Sequence, residues 1–309
     1  MHARHALERA LPGMGVRSPS MADVAAATAL MAACETHAHG FAEIVEDEVA
    51  ESWSRPTIEL AGDVVLVFDG DELVACAETY RGRGEGCVLP SHRGRGIGTA
   101  LVGWWTARAA EHGIAVAGQT VSDDDPSAVA LLEGLGCTVG HTSWILRYAL
   151  GDEPPAPAAP PEGIALRLLR PGEERALFHL IDDAFAHWEG RERAVYEDWA
   201  ASSVASPRWE PWMGLVAAAG DQLVGAAVLR RFPGEGWIDQ IAVKGSHQGR
   251  GIGRALLQHA FRFFHGREPA VGLSTDSRTG ALDLYLHVGM TVRRGYRRWS
   301  RPTGARLPG

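Results

Sequence analysis

The sequence predicts an α+β fold repeated twice within one chain of 309 residues. Three observations carry that expectation. Strand-like and helix-like apolar runs are mixed, without the strict alternation that marks a purely parallel sheet. Four segments of the first half return in the same order in the second, at offsets of 150 to 155 residues. A proline-rich stretch separates the halves, each of which is about 150 residues, the ordinary size of one domain.

The matches can be read directly. Asp71-Glu-Leu-Val-Ala-Cys-Ala77 returns as Asp221-Gln-Leu-Val-Gly-Ala-Ala227, and Arg93-Gly-Arg-Gly-Ile-Gly98 as Gln248-Gly-Arg-Gly-Ile-Gly253. An Ala-Leu-rich helix follows each glycine segment, Thr99-Ala-Leu-Val and Arg254-Ala-Leu-Leu. Leu131-Leu-Glu-Gly-Leu-Gly136 then returns as Leu284-Tyr-Leu-His-Val-Gly289. Ordered similarity at nearly one offset is the mark of an internal duplication. Residues 151–163 contain five prolines, which forbid a helix and favour an extended spacer. The expected organisation is a tail over 1–15, a domain over 16–150, the linker over 151–163, a second domain over 164–300 and a tail over 301–309.

Each half reads alike. An opening strand (Val16-Arg17, or 164–168) leads into one or two helices. Two strands follow with turn residues between them: 64–68, Asp69-Gly70 and 73–77 in the first copy, 215–218, Gly220-Asp221 and 223–229 in the second. A further strand, 237–243 in the second copy, runs into the glycine segment and its helix. Strand 270–274, helix 281–288 and strand 291–299 complete that copy, with Gly289 where a left-handed helix cap belongs.

Composition narrows the function class. The chain is 46% hydrophobic and 22% charged, which fits an ordinary globular protein and excludes a mainly disordered one. No stretch approaches the ~18 apolar residues of a membrane span, and residues 1–15 lack the continuous apolar core of a secretory signal. A cytoplasmic protein is expected. Residues 1–154 hold 10 Arg against 22 Asp and Glu, a balance of −12, whereas residues 155–309 hold 20 Arg and Lys against 16, a balance of +4. Nucleic acid is therefore not an expected partner of the whole chain. Cys34, Cys76, Cys87 and Cys137 show no metal-ligand spacing, and neither do the histidines, so free thiols and no metal are expected.

A strand that ends in a glycine-rich loop opening a helix is an anion site by construction. The first helical N–H groups have no internal partner, the helix dipole favours negative charge, and glycine permits positive φ. Two common loops are excluded. A dinucleotide fingerprint needs Gly or Ala where Arg254 or Leu256 stands, and a P-loop needs a Gly-Lys-Ser/Thr that is absent. What remains, Gln/Arg-x-x-Gly-x-Gly after an apolar strand, resembles the pyrophosphate loop of the GNAT superfamily of N-acetyltransferases in both copies. In the second copy Ala281-Leu-Asp-Leu-Tyr-Leu-His-Val-Gly-Met290 is similar to that superfamily's Ala-x-x-Leu-Tyr-x-x-x-Gly-Phe/Met segment.

The resemblance covers nearly the whole chain and implies two tandem GNAT-like domains, each a mixed, mostly antiparallel sheet flanked by helices. It implies acetyl-CoA as co-substrate and no metal. Gln248, Gly249, Arg250, Gly251, Ile252, Gly253 and Arg254 would hold the pyrophosphate. The backbone of Ile241, Ala242 and Val243 would pair with the pantetheine arm like an added strand. Tyr285 stands at the superfamily's tyrosine, which protonates the departing thiolate; its plainer reading is a packing tyrosine. Asp239 stands where a carboxylate often serves as base or holds a water relay, with Glu235 in reserve; its plainer reading is a polar residue on the far strand face.

The first copy departs from this pattern. Leu132 occupies the position of Tyr285, and the segment Gly86-Cys-Val-Leu-Pro90 has no carboxylate matching Asp239. Val88, Arg93, Gly94, Arg95, Gly96, Ile97 and Gly98 nevertheless form a second possible coenzyme site, in a domain expected to be noncatalytic. In the resembling superfamily the helices after the first strand wall the acceptor. Trp188 and Glu189 lie in that region, either in an aromatic pocket for a cationic amine or in plain packing. The basic run Arg293 to Arg301 would meet the coenzyme's 3′-phosphate or an acidic partner, or form a solvated edge strand. In layout the chain is similar to the duplicated mycothiol synthases, without a matching acceptor motif. The implied activity is transfer of acetyl to a small-molecule primary amine by direct attack; a noncatalytic acyl-CoA-binding or sensing protein is the alternative.

Overall fold

The computed structural model describes residues 2–156, 159–186 and 193–305. In chain order its elements are α1 (His2–Ala10), β1 (Gly15–Arg17), α2 (Val24–His39), α3 (Glu46–Trp53), α4 (Leu60–Asp63), β2 (Val64–Asp69), β3 (Glu72–Tyr80), β4 (Arg83–Val88), α5 (Ile97–Glu111), β5 (Val116–Ser122), α6 (Pro126–Gly134) and β6 (Thr138–Ala149). The second half repeats the pattern with β7 (Ala165–Leu168), α7 (Glu174–Ala184), α8 (Tyr196–Ala201), β8 (Gly214–Ala219), β9 (Gln222–Phe232), β10 (Glu235–Val243), α9 (Ile252–Phe264), β11 (Ala270–Asp276), α10 (Leu282–His287) and β12 (Thr291–Pro302).

The chain divides into two compact units that do not coincide with its halves. Unit 1 comprises residues up to 142 together with those from 296 onward, and unit 2 comprises residues 143–295. Their limits differ from the expected boundaries at 150, 164 and 300, because β6 and β12 are each shared between the units. In unit 1 the strands run β1-β2-β3-β4-β5 and then residues 296–302 of β12, which pair antiparallel with β5 from Tyr296↔Ser122 to Pro302↔Val116. In unit 2 they run β7-β8-β9-β10-β11 and then residues 143–149 of β6, paired antiparallel with β11 from Ser143↔Asp276 to Ala149↔Ala270. Each sheet is thus completed by the final strand of the other half. All other pairings are antiparallel except β4 with β5 and β10 with β11.

Alternation along the strands builds a core on both faces of each sheet. In β8, Leu215 and Ala217 pack with Leu256, Phe261 and Phe264 of α9, while Val216 and Ala218 pack with Leu177 and Phe178 of α7. In unit 1, Val65 and Val67 join Trp104 and Trp105 of α5, whereas Val64 and Leu66 join Val49 and Trp53 of α3. The apolar positions of α9 recur at three and four residues, so one face enters the core and the other carries Arg254, Gln258 and Arg262.

Two expected tails belong to the fold. Residues 2–10 form α1, whose Ala3 and Leu7, one turn apart, are buried with Ala109 of α5, and Ala3 N donates to Glu111 Oε1. At the other end Arg301 is 4% exposed and donates to the Leu135 carbonyl, while Thr303 Oγ1 donates to the Ile114 carbonyl. The basic run is likewise not a solvated edge. Arg294 is buried, Arg297 pairs with Asp123, and Arg298 donates to the Gly82 carbonyl.

Candidate functional site

The strand β10 is paired along its whole length with β9, apart from a bulge between Ile238 and Gln240 that leaves Asp239 as the extra residue. With β11 it pairs only at Gly236, Trp237 and Ile238. Beyond the bulge the two strands part, and the backbone of residues 240–243 turns an edge toward the gap that β11 does not fill. A bulge redirects the chain and re-aims its side chains. This edge leads straight into the glycine loop.

Gln248 Nε2 donates to the Val243 carbonyl at 3.1 Å, tying the start of the loop to the end of the strand. Gly249 (φ 71°) and Gly251 (φ 86°) take left-handed conformations, and Gly251 is the N-cap of α9 without a side-chain capping bond. A Cβ at Gly249 or Gly251 would meet nothing within 4 Å, so glycine is required here by the backbone angle. The first N–H groups of α9 precede the first helical bond, Ala255 N to Gly251 O, and have the geometry of an anion cradle.

Tyr285 lies in α10, 5% exposed, in the core with Leu273 and Met290. Burial pushes its phenol up to about 12, against the opposing effect of a hydrogen bond with Thr275. Thr275, in the β11 strand that borders the gap, is also 3.0 Å from Thr279 Oγ1. The phenol is therefore neutral across the physiological range and able to donate a proton.

Asp239 Oδ1 is 3.3 Å from Arg230 Nε, and Arg230 Nη2 donates to the Ser202 carbonyl at 2.6 Å. Glu235 faces Arg147 and Arg293 at 3.4 and 3.6 Å. Gln240, which sequence reading passed over, accepts from Trp199 Nε1 at 2.9 Å and ties α8 to β10 just past the bulge. An amide beside Asp239, in a strand that also carries Glu235, was its only signal. Trp188 and Glu189 lie outside the described residues. Nearby Asp182 is 3% exposed, pairs with Arg193 and accepts from Ala194 N, so its work is structural.

The first copy has the same loop and a different gap. Gly94 (φ 76°) and Gly96 (φ 80°) repeat the left-handed angles. Yet β3 and β4 pair in unbroken register from Ala75↔Val88 to Tyr80↔Arg83, so the bulge that creates Asp239 has no counterpart. The strand β4 pairs with β5 only at Arg83↔Gly118, and one carbonyl of its parted edge, that of Gly86, is already engaged. Gln119 Nε2 donates to the Gly86 carbonyl at 3.0 Å, and the Val88 carbonyl accepts from Cys34 Sγ at 3.4 Å and Arg93 Nε at 3.5 Å. Arg93 also pairs with Asp125, and Arg95 with Asp69. Leu132 is 2% exposed, an apolar plug in the place of the phenol. The four cysteines are free thiols, Cys34, Cys76 and Cys137 buried and Cys87 partly so. Among the described residues no group of His, Cys, Asp and Glu has metal-binding geometry, and no helix is long and apolar enough to cross a membrane.

The sequence model described as the acetyltransferase (GNAT) family matches residues 30–137 and again 174–290. A mycothiol acetyltransferase from Catenulispora acidiphila is 28% identical over 90% of this chain and 95% of that protein. Among solved structures, a GCN5-related N-acetyltransferase from Sphaerobacter thermophilus is 31% identical, with a TM-score of 0.76 over 97% of this chain and 98% of that one. A tandem GNAT protein from the clavulanic acid biosynthesis pathway shares the fold at 15% identity, with a TM-score of 0.71 over 95% and 99% of the two chains. The strand gap, the glycine loops and the twofold match agree: the chain belongs to the acetyltransferase (GNAT) family as a tandem member, and is an acetyl-CoA-dependent acyltransferase.

Proposed function

We propose that unit 2 transfers the acetyl group of acetyl-CoA to a primary amine of a small molecule by direct attack in a ternary complex. The observation that carries this reading is the β10 edge beyond Asp239, which leads into a left-handed glycine loop and an uncapped helix start. The co-substrate supplies the thioester. The chain's own groups bind and move protons around it. Residues 241–243 offer backbone donors and acceptors to the amide-bearing pantetheine arm, and residues 248–254 offer N–H groups to the pyrophosphate.

An ammonium has no lone pair, so a proton must leave the acceptor before the N–C bond forms. Asp239, exposed at the bulge, takes that proton directly or through water. As the C–S bond breaks, the sulfur gains a negative charge and Tyr285 supplies its proton, and the second proton shed by the acceptor nitrogen as the amide forms restores the phenol. A phenol held protonated by burial serves this step over the whole working range of pH. Unit 1, with Leu132 for the phenol, lacks the bulge carboxylate and is noncatalytic.

The names of the full-length relatives favour a mycothiol-pathway amine as the acceptor. Four free thiols fit a reducing cytoplasm. The test is a thiol-release assay of acetyl-CoA against a panel of amines that includes mycothiol-pathway amines, followed by initial-velocity analysis with both substrates varied. Intersecting lines are expected. Parallel lines, the pattern of a covalent acetyl-enzyme, would overturn direct attack, and release of thiol only with non-amine acceptors would overturn the acceptor class.

A further inference from the structure

The proline-rich segment is not a free spacer. Arg262 Nη1 donates to the Pro155 carbonyl at 2.7 Å, and His265 Nε2 lies 3.1 and 3.2 Å from the carbonyl oxygens of Gly151 and Asp152. The segment is thereby fastened to the outer face of α9. Between the two is a cavity of about 340 Å³, walled on one side by Ala156, Ala159 and Pro161 and on the other by Gly251, Arg254 and Gln258. That volume is at the lower end of ligand pockets, roughly 300–1,000 Å³.

The chemistry of the cavity is specific. Arg254 and Gln258 are one turn apart, so their head groups share a helix face. Arg254 enters no ion pair among the described residues, and Arg250 adds a second cation at the rim. The Gln258 Oε1 atom is buried with no hydrogen-bond partner among the described residues. A buried acceptor without a donor is costly, and a ligand N–H would remove the cost. The linker wall is small and apolar, suited to the face of a flat ring. Gly251, at one end of the cavity, belongs to the loop read above as the pyrophosphate cradle.

We propose that the linker is the outer wall of the coenzyme's nucleotide subsite, with Gln258 accepting from the exocyclic amine of the purine and Arg254 meeting the 3′-phosphate. This rests on reading residues 248–254 as the pyrophosphate loop. A pyrophosphate held there leaves the attached nucleoside beside the first turns of α9, where the cavity lies. Coenzyme bound in this way holds the segment on α9, so the joint between the two halves is part of the co-substrate site.

The experiment is calorimetry on the full chain with three probes: coenzyme A, 3′-dephospho-coenzyme A and 4′-phosphopantetheine. Gln258→Leu is expected to weaken coenzyme A by about tenfold, the size of one lost hydrogen bond, and to leave 4′-phosphopantetheine unchanged. Arg254→Gln should weaken coenzyme A but not the dephospho form. Ala159→Glu, at an exposed position on the linker, sets a carboxylate against the phosphate and should weaken coenzyme A by at least tenfold without touching the fold. If folded Gln258→Leu and Ala159→Glu bind coenzyme A as the wild type does, the subsite is elsewhere. If the wild type binds none of the three probes, the loop reading itself fails, and this inference falls with it.

Discussion

Tyr285→Phe removes one oxygen from a side chain that is 5% exposed and leaves its ring in the core. Thr275 keeps Thr279 Oγ1 at 3.0 Å, so no buried hydroxyl is orphaned and the fold should lose only about 0.5–1.5 kcal/mol. The phenol is pushed up to about 12 by burial. At pH 9, an ordinary tyrosine is about a tenth ionised, whereas one with that value is about a thousandth ionised. The donor is thus present throughout the working range, and its removal should slow acetyl transfer by roughly ten- to a thousandfold while coenzyme affinity changes little. Linkage supplies a second readout, free of any acceptor. The folded phenol resists ionisation that the unfolded one accepts near pH 10, so its stabilisation is complete below pH 10 and is lost as pH climbs toward 12. By pH 11 the wild type should lose about 1.4 kcal/mol that the Phe variant does not lose. Single-turnover transfer and urea unfolding at pH 8 and pH 11 measure the two effects. Wild-type turnover in the variant, with chemistry rate-limiting, would remove Tyr285 from the mechanism; identical alkaline losses would show that the phenol is not sequestered.

Two further outcomes are expected. Asp239→Asn should lower the rate most at mildly acidic pH, where an ammonium acceptor most needs a base; an unchanged pH–rate profile would move the role to Glu235. Gly251→Glu should abolish turnover, because a side chain and a like charge enter the anion cradle, whereas Gly96→Glu should leave appreciable turnover. Their backbone angles are +86° and +80° and neither Cβ meets a neighbour within 4 Å, so the folding cost, about 1–2 kcal/mol, is shared and the comparison isolates the site. A folded, inactive Gly96→Glu beside an active Gly251→Glu would reverse the assignment of the working unit.

Sequence alone revealed what repeats and what has a local signature. The duplicated Arg/Gln-x-x-Gly-x-Gly segment located both loops because left-handed angles demand glycine. Tyr285 stood out by its position four residues before Gly289, whose φ of 95° confirms the left-handed cap. Hidden features depend on partners far away in the chain. The bulge at Asp239 exists only relative to β9, and the engaged carbonyl of the first copy's edge needs Gln119, 33 residues from Gly86. The destinations of β6 and β12 were hidden too, since duplicated strands of similar pattern can complete either sheet. The helix α1 escaped because Arg and His interrupt the only two side chains, Ala3 and Leu7, that it buries deeply.

The exchange of final strands imposes an order on the chain's birth. A ribosome delivers residues 296–302 long after β5, so the sheet begun by the first 122 residues has no sixth strand until about 170 further residues have been made. Throughout that interval β5 presents an unpaired edge, the kind of surface on which nascent chains aggregate or exchange strands. Unit 2, by contrast, has β6 to β11 once residue 276 has been made, with only residues 291–295 of β12 still to come. The half encoded second is therefore the first that can close its sheet. A cut at the proline-rich segment would leave both fragments short of a strand, and a gene that lost either copy would lose the completion of the other.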